Sequence, residues 1–285
     1  MPTVVTTAAA NVALELEGKF GAFVDKVSLP ALLFPAAGPP TFGAFEARIN
    51  VSTASALLDW AMSLVRRNGS EPAGAVLVAN QNFDLQRRID WSAGPVTELA
   101  LDPLDAREGK KPFTINVKWQ PSAVKHSKGS GKVGGGVAKK AKAWLCSNFR
   151  LTMGGLPFDG KRVSRVELPT VKSMGQPKIG ARRLAPTPEV EFGPLRLTVS
   201  GPGVDEAFAW VQKVQDHGGV VAGDRFDLSI EMLDATLAKV LGTITVQGCT
   251  LQSWEEPAFE SANGAVRMAV LSFAVQGLDL VVAAA

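Results

Sequence analysis

The chain has 285 residues, 46% of them hydrophobic and 20% charged, with 28 Gly, 18 Pro, no Tyr and a formal charge of +3. That apolar content can bury a core large enough to offset chain entropy, which excludes a disordered chain, and Gly without a three-residue period excludes a fibrous one. No run approaches the roughly 18 apolar residues of a membrane-spanning helix.

Met1 to Gly18 carry no Lys or Arg and no compact apolar core, so no secretory signal is read there; synthesis in the cytoplasm without membrane insertion is expected. Cys146 and Cys249 are too few for a disulfide framework or a four-thiolate metal site and read as ordinary thiols. The positive charge is local. Six of the 30 basic residues, Lys125, Lys128, Lys132, Lys139, Lys140 and Lys142, lie between Ser122 and Trp144 with no acid among them, so the remaining 24 face 27 acids. Within this stretch Ser127 to Gly136 read SKGSGKVGGG. Glycine costs about 1 kcal/mol per helical position and packs nothing in a strand, so residues 122–144 are expected to be a linker. It divides the chain into a first domain, 1–121, and a second, 145–285.

The elements recur in the two halves in the same order. Val12, Leu14 and Leu16 predict an opening strand, matched by Phe149, Leu151 and Met153. Val27-Ser28-Leu29-Pro30 then meets Val166-Glu167-Leu168-Pro169 at an offset of 139, and Thr41-Phe42-Gly43 meets Glu191-Phe192-Gly193 at 150. A second strand alternates through Phe45, Ala47, Ile49 and Val51, against Leu195, Leu197 and Val199. One helix follows in each half. The first is capped by Ser52 or Thr53 with the stripe Leu57, Leu58, Ala61, Leu64 and Val65; the second is capped by Asp205 with the stripe Phe208, Val211 and Val214. Trp60 and Trp210 fall at one helical position and read as packing residues.

Strands resume with Val76 and Val78 against Phe226, Leu228, Ile230 and Met232, then Ile89 and Trp91 against Ile244 and Val246. Pro103 is matched with Pro257 at an offset of 154, and Phe113–Trp119 with Ala269–Val275 at 156. One helix among six or more antiparallel strands predicts a mainly β fold. The expectation is two tandem β-sandwich or barrel domains, each with one flanking helix.

No residue set forms a catalytic constellation. His126 lies in the linker and reads as a solvated polar residue, and His217 ends the second helix, where the dipole favours an imidazole. The acid pairs Glu255-Glu256 and Asp102 with Asp105 read as solvated loop residues. GKVGGGVAKK, from Gly131 to Lys140, lacks the Gly-Lys-Ser/Thr ending of a phosphate loop. No enzyme, metal or cofactor is expected. The six lysines leave three readings open: a soluble tether, a surface for a polyanion such as nucleic acid, or a segment that orders against a neighbouring subunit.

Asn148-Phe149-Arg150-Leu151, the strand-to-helix run from Gly193 through PLRLTVS to Asp205–Val214, Phe226–Leu233 and the closing AVLSFAVQGLDL together resemble the tail-tube proteins of contractile phages and related injection systems. The resemblance implies a structural subunit of a phage-tail-like tube, tube initiator or baseplate hub. Its implied partners are copies of itself and other tail, sheath or baseplate proteins, and its place is a phage-tail-like particle. The usual subunit is one such domain in a ring of six. With two domains per chain, the resemblance implies that three chains would give a pseudo-hexameric ring around a lumen. The alternative is a two-domain β-protein that binds a ligand or polyanion.

Overall fold

The computed structural model describes residues 11–36, 38–134, 142–156, 158–174, 189–221, 224–256 and 266–283. In the first half the elements are β1 (Asn11–Leu16), β2 (Lys19–Phe23), β3 (Lys26–Ser28), β4 (Leu32–Leu33), β5 (Thr41–Phe42), β6 (Phe45–Asn50), α1 (Ser55–Ala61), β7 (Gly74–Ala79), β8 (Leu85–Ser92), β9 (Val96–Leu101), β10 (Leu104–Asp105), β11 (Thr114–Trp119) and β12 (Ala123–Lys128). The second half continues with β13 (Phe149–Met153), β14 (Val163–Glu167), β15 (Val171–Met174), β16 (Glu189–Phe192), β17 (Leu195–Ser200), α2 (Pro202–Asp216), β18 (Phe226–Leu233), β19 (Val240–Glu255), β20 (Met268–Ala274) and β21 (Gly277–Val282). The protein is mainly β, with two α-helices among these strands.

The chain forms two compact units. Unit 1 is drawn from Met1–Leu99, Thr114–Ala141 and Lys172–Val190, and unit 2 from Ala100–Phe113, Lys142–Val171 and Glu191–Ala285. Each unit therefore uses residues from both sides of the sequence midpoint.

In unit 1 one sheet runs β12-β8-β7-β1-β2 and a second runs β16-β15-β9-β11-β6-β3. In unit 2 a single eight-stranded sheet contains the orders β21-β19-β18-β13 and β19-β20-β17-β14, because β19 is long enough to pair with β18 and β21 in its first part and with β20 in its last. The order β12-β8-β7-β1 thus has the same form as β21-β19-β18-β13, and β9-β11-β6-β3 the same form as β19-β20-β17-β14. The pairs β1–β7, β7–β8, β8–β12, β3–β6, β6–β11, β13–β18, β14–β17 and β17–β20 are all antiparallel.

Alternation drives these strands. Phe45, Ala47 and Ile49 on β6 are fully buried, as are Leu195, Leu197 and Val199 on β17, and the intervening residues face outward. The β6–β11 pair sets Phe45 opposite Trp119, and the β17–β20 pair sets Leu195 opposite Phe273. Trp119 therefore matches Phe273 at an offset of 154, which corrects the expected 156 by two residues. Period-2 alternation is unchanged by a two-residue slip, so the sequence pattern alone could not separate the registers.

The core of unit 1 is aromatic. Trp119 packs on Phe45, Trp60 and Trp91 with ring centroids 4.9, 5.1 and 5.2 Å apart. Phe273 occupies the corresponding centre in unit 2, with Phe226 at 5.1 Å and Trp210 at 6.4 Å. Trp60 and Trp210 are both buried.

Several local expectations change. Asn50, not Ser52 or Thr53, supplies a cap, accepting from the Ser52 N–H at 3.0 Å, but it caps a short 3-10 turn at Val51–Thr53; α1 follows Ala54 with no side-chain capping bond and is only seven residues long. Proline needs no donor at a first helical position, and Pro202 starts α2 ahead of Asp205. The buried stripe of α2 is accordingly Val204, Ala207, Trp210 and Val214, while Phe208 is 39% exposed. Ala123–Lys128, expected in the linker, pair with β8 as β12, and Val133 is buried in the unit 1 core. The closing run folds as two strands, β20 and β21, with a turn at Gln276. Residues 1–10 and Pro257 lie outside the described residues.

Candidate functional site

The expected lysine segment is divided between the units. Lys125 and Lys128 are exposed on β12, the edge strand of its sheet, and exposed Lys132 makes an isolated bridge with Asp84. Charge on an edge strand discourages unwanted pairing. Lys142 belongs to unit 2, where its ammonium donates to Asp234 Oδ2 at 3.2 Å. Lys139 and Lys140 lie outside the described residues. His126 sits on β12 with Arg87 Nη2 donating to its Nδ1 at 2.8 Å, and His217 is the residue that follows α2.

The acid pairs are structural. Asp102 and Asp105 are buried, contrary to the solvated loop expected of them. Asp105 Oδ1 accepts from Arg107 N (2.9 Å) and Nε (3.0 Å), Oδ2 accepts from Arg107 Nη2 (2.9 Å), and Arg165 lies 3.5 Å away. The hydrogen bond from the Arg107 side chain is the main reason its carboxyl is held at about 2. Glu256 accepts from Arg267, which also binds Asp205, and Glu255 accepts from Ser253. Both cysteines are buried, and desolvation pushes the Cys249 thiol up to about 12. Among the described residues no group of three or more His, Cys, Asp and Glu could hold a metal, and no helix is long and apolar enough to cross a membrane.

Two turns missed by identity matching share one geometry. Between β7 and β8, Asn80 Oδ1 accepts from Asn82 N and Asp84 N, both at 2.9 Å, and Phe83 has φ 62°. Between β18 and β19, Asp234 Oδ1 accepts from Thr236 N (3.1 Å) and Thr236 Oγ1 (2.7 Å), and Leu237 has φ 58°. Phe83 N donates to Asn80 O and Leu237 N to Asp234 O. The Thr236 hydroxyl, then Lys142 and the Lys239 and Ala238 amides, hold the Asp234 carboxyl well below the usual range. The Gly43 N–H donates to Ala31 O and the Gly193 N–H to Thr170 O, each at 2.8 Å, which joins the two expected offsets of 139 and 150 in one contact.

Strand edges remain. In unit 1, β15 pairs with β9 and carries β16 on its outer side. In unit 2, β10 pairs with β14, setting Leu104 opposite Val166. The last part of β19, Thr250–Glu255, pairs with β20 on one side and with no other strand among the described residues. β4 and β5 form a two-stranded sheet of their own, flanked by exposed Leu29 and Phe34. Unpaired backbone at a sheet edge can accept an added strand.

No protein-family model and no curated protein matches the chain. Among solved structures it is similar to Hcp1 from Flavobacterium johnsoniae, with 13% identity, a TM-score of 0.33, and coverage of 43% of this chain and 99% of that one. It is also similar to a chain in the anti-feeding prophage cap, a tube-terminating cap, with 15% identity, a TM-score of 0.31, and coverage of 48% and 89%. A third, in the anti-feeding prophage baseplate, gives 16%, 0.32, 47% and 90%.

Proposed function

We propose that this chain is a structural subunit of a phage-tail-like tube or hub, built as two tandem copies of one β-domain. Three chains would supply the six domain positions of a ring around a lumen, and other tail, sheath or baseplate proteins would be its partners. The first copy ends at Lys128, since β12 takes the place that β21 takes in the second. The lysine-rich connector is then shorter than residues 122–144.

The observation that carries this reading is the recurrence of one pairing order in both sequence halves, down to the Asn80 and Asp234 turns and the Gly43 and Gly193 contacts. A doubled β-domain that, among the described residues, has an open sheet edge and an exposed apolar hairpin is suited to repeated self-association. The mass of the purified protein in solution, together with negative-stain microscopy, tests it. Trimers or their stacked rings are expected. A strict monomer at high concentration, with no rings or tubes, overturns the reading.

A further inference from the structure

The β4–β5 hairpin and the β15–β16 pair occupy the same place in their two halves. Leu32 meets Val171 at the offset of 139, and Phe42 meets Phe192 at 150. Gly43 and Gly193 close both pairs with the same backbone hydrogen bond. β15–β16 lies along the β9 edge of unit 1. Leu168 is 7% exposed and Val171 is fully buried.

The counterparts in the first half have no such cover. Leu29 is 41% exposed, Leu32 48%, Leu33 50% and Phe34 75%. The counterpart of the β9 edge is equally open: Thr250–Glu255 of β19 has β20 on one side and no strand on the other among the described residues. Among the described residues, then, one chain carries both an apolar hairpin without an edge and an edge without a hairpin, and the pairing of the two kinds of element is displayed by β15–β16 on β9.

We propose that the β4–β5 hairpin of one chain adds to the Thr250–Glu255 edge of a second copy of this chain, as β15–β16 adds to β9. The inference rests on the two-copy reading above and names the contact between ring neighbours. Main-chain hydrogen bonding along the edge supplies the attraction, and burial of Leu29 and Leu32 adds to it. Donor and acceptor are different surfaces, so a contact made in one direction only is head-to-tail and propagates into a closed ring or an open filament.

Crosslinking of the full chain tests this. Leu33→Cys and Gln252→Cys each place a thiol at an exposed position, and Lys172, the counterpart of Leu33, stays exposed when its strand is paired. The native thiols are buried. A short bismaleimide should join chains when the two variants are mixed and not in either alone. Adding Leu32→Asp to the Leu33→Cys chain should abolish the product while leaving the circular dichroism spectrum unchanged, because Leu32 is already half exposed in the single chain. Product from Leu33→Cys alone would mean a twofold hairpin contact and overturns the proposal. Rings in the microscope with no crosslink in the mixture overturn this contact but leave the tube reading standing. A monomer with no crosslink overturns both.

Discussion

Asp105 carries more of unit 2 than an acid in a turn ordinarily would. Its side chain is 4% exposed and takes three hydrogen bonds from Arg107, so Asp105→Asn leaves the guanidinium without its charged acceptor. A loss of roughly 2 kcal/mol is expected, within the range for hydrogen bonds to charged groups, and urea denaturation measures it. The pH dependence has a defined sign. The folded carboxyl, at about 2, lies below its ordinary 3.8. Its stabilisation is therefore complete above about pH 4 and is lost as pH falls towards about 2. The wild-type urea midpoint should drop across that window more steeply than that of Asp105→Asn. Cys249 gives a second check, since a thiol pushed up to about 12 by burial has almost no thiolate at neutral pH. It should resist a thiol reagent in the native protein and react fully in denaturant.

The paired turns give the clearest prediction for an element. Leu237 is held at φ 58° and is 56% exposed, so it bears the steric cost of a left-handed residue with little packing in return. Leu237→Gly should stabilise the protein by up to about 1 kcal/mol, read as a rise in melting temperature. Phe83→Gly should gain less or lose, because the Phe83 ring packs on Phe23 at 5.5 Å. These turns were illegible in the sequence: Asn80-Gln81-Asn82-Phe83 and Asp234-Ala235-Thr236-Leu237 share a hydrogen-bonding capacity and no identical residue. Bulk also moves between strands. Gly74 faces Trp91 in one unit and the matched Leu228 faces Val246 in the other, so the same pair divides its bulk differently between the two strands. β6, β17 and β18 were legible because a one-sided burial writes a period of two. β12 was not: AVKHSK lies among glycines and lysines, and its strand conformation comes from pairing with β8. The α2 stripe differs from the expected one because the face that packs carries Ala207 and Trp210, while the larger apolar Phe208 points outward. The lysine segment was legible as charge, but its division between an edge strand and the Asp234 ion pair depends on tertiary structure.

At the scale of the whole molecule, the sequence midpoint is not the structural division. Unit 1 includes Lys172–Val190 from the second half, and unit 2 includes Ala100–Phe113 from the first. Such pairings between residues far apart in the chain leave no local signal, and the glycine-lysine stretch pointed instead to a simple cut. The consequence can be tested by splitting the chain between Lys139 and Lys140 and producing the two pieces separately or together. Alone, the first piece lacks β15 and β16, exposing the β9 edge, and the second lacks β10 and the buried Asp105 that Arg165 approaches. An exposed edge beside apolar side chains favours aggregation, so each piece alone should be poorly soluble or melt well below the intact chain. Produced together, they should copurify through a tag on one piece and recover a melting temperature near that of the uncut protein. Two pieces that are each stable and show no affinity for one another would mean that the exchanged segments contribute little, and that each sequence half folds as a self-sufficient domain.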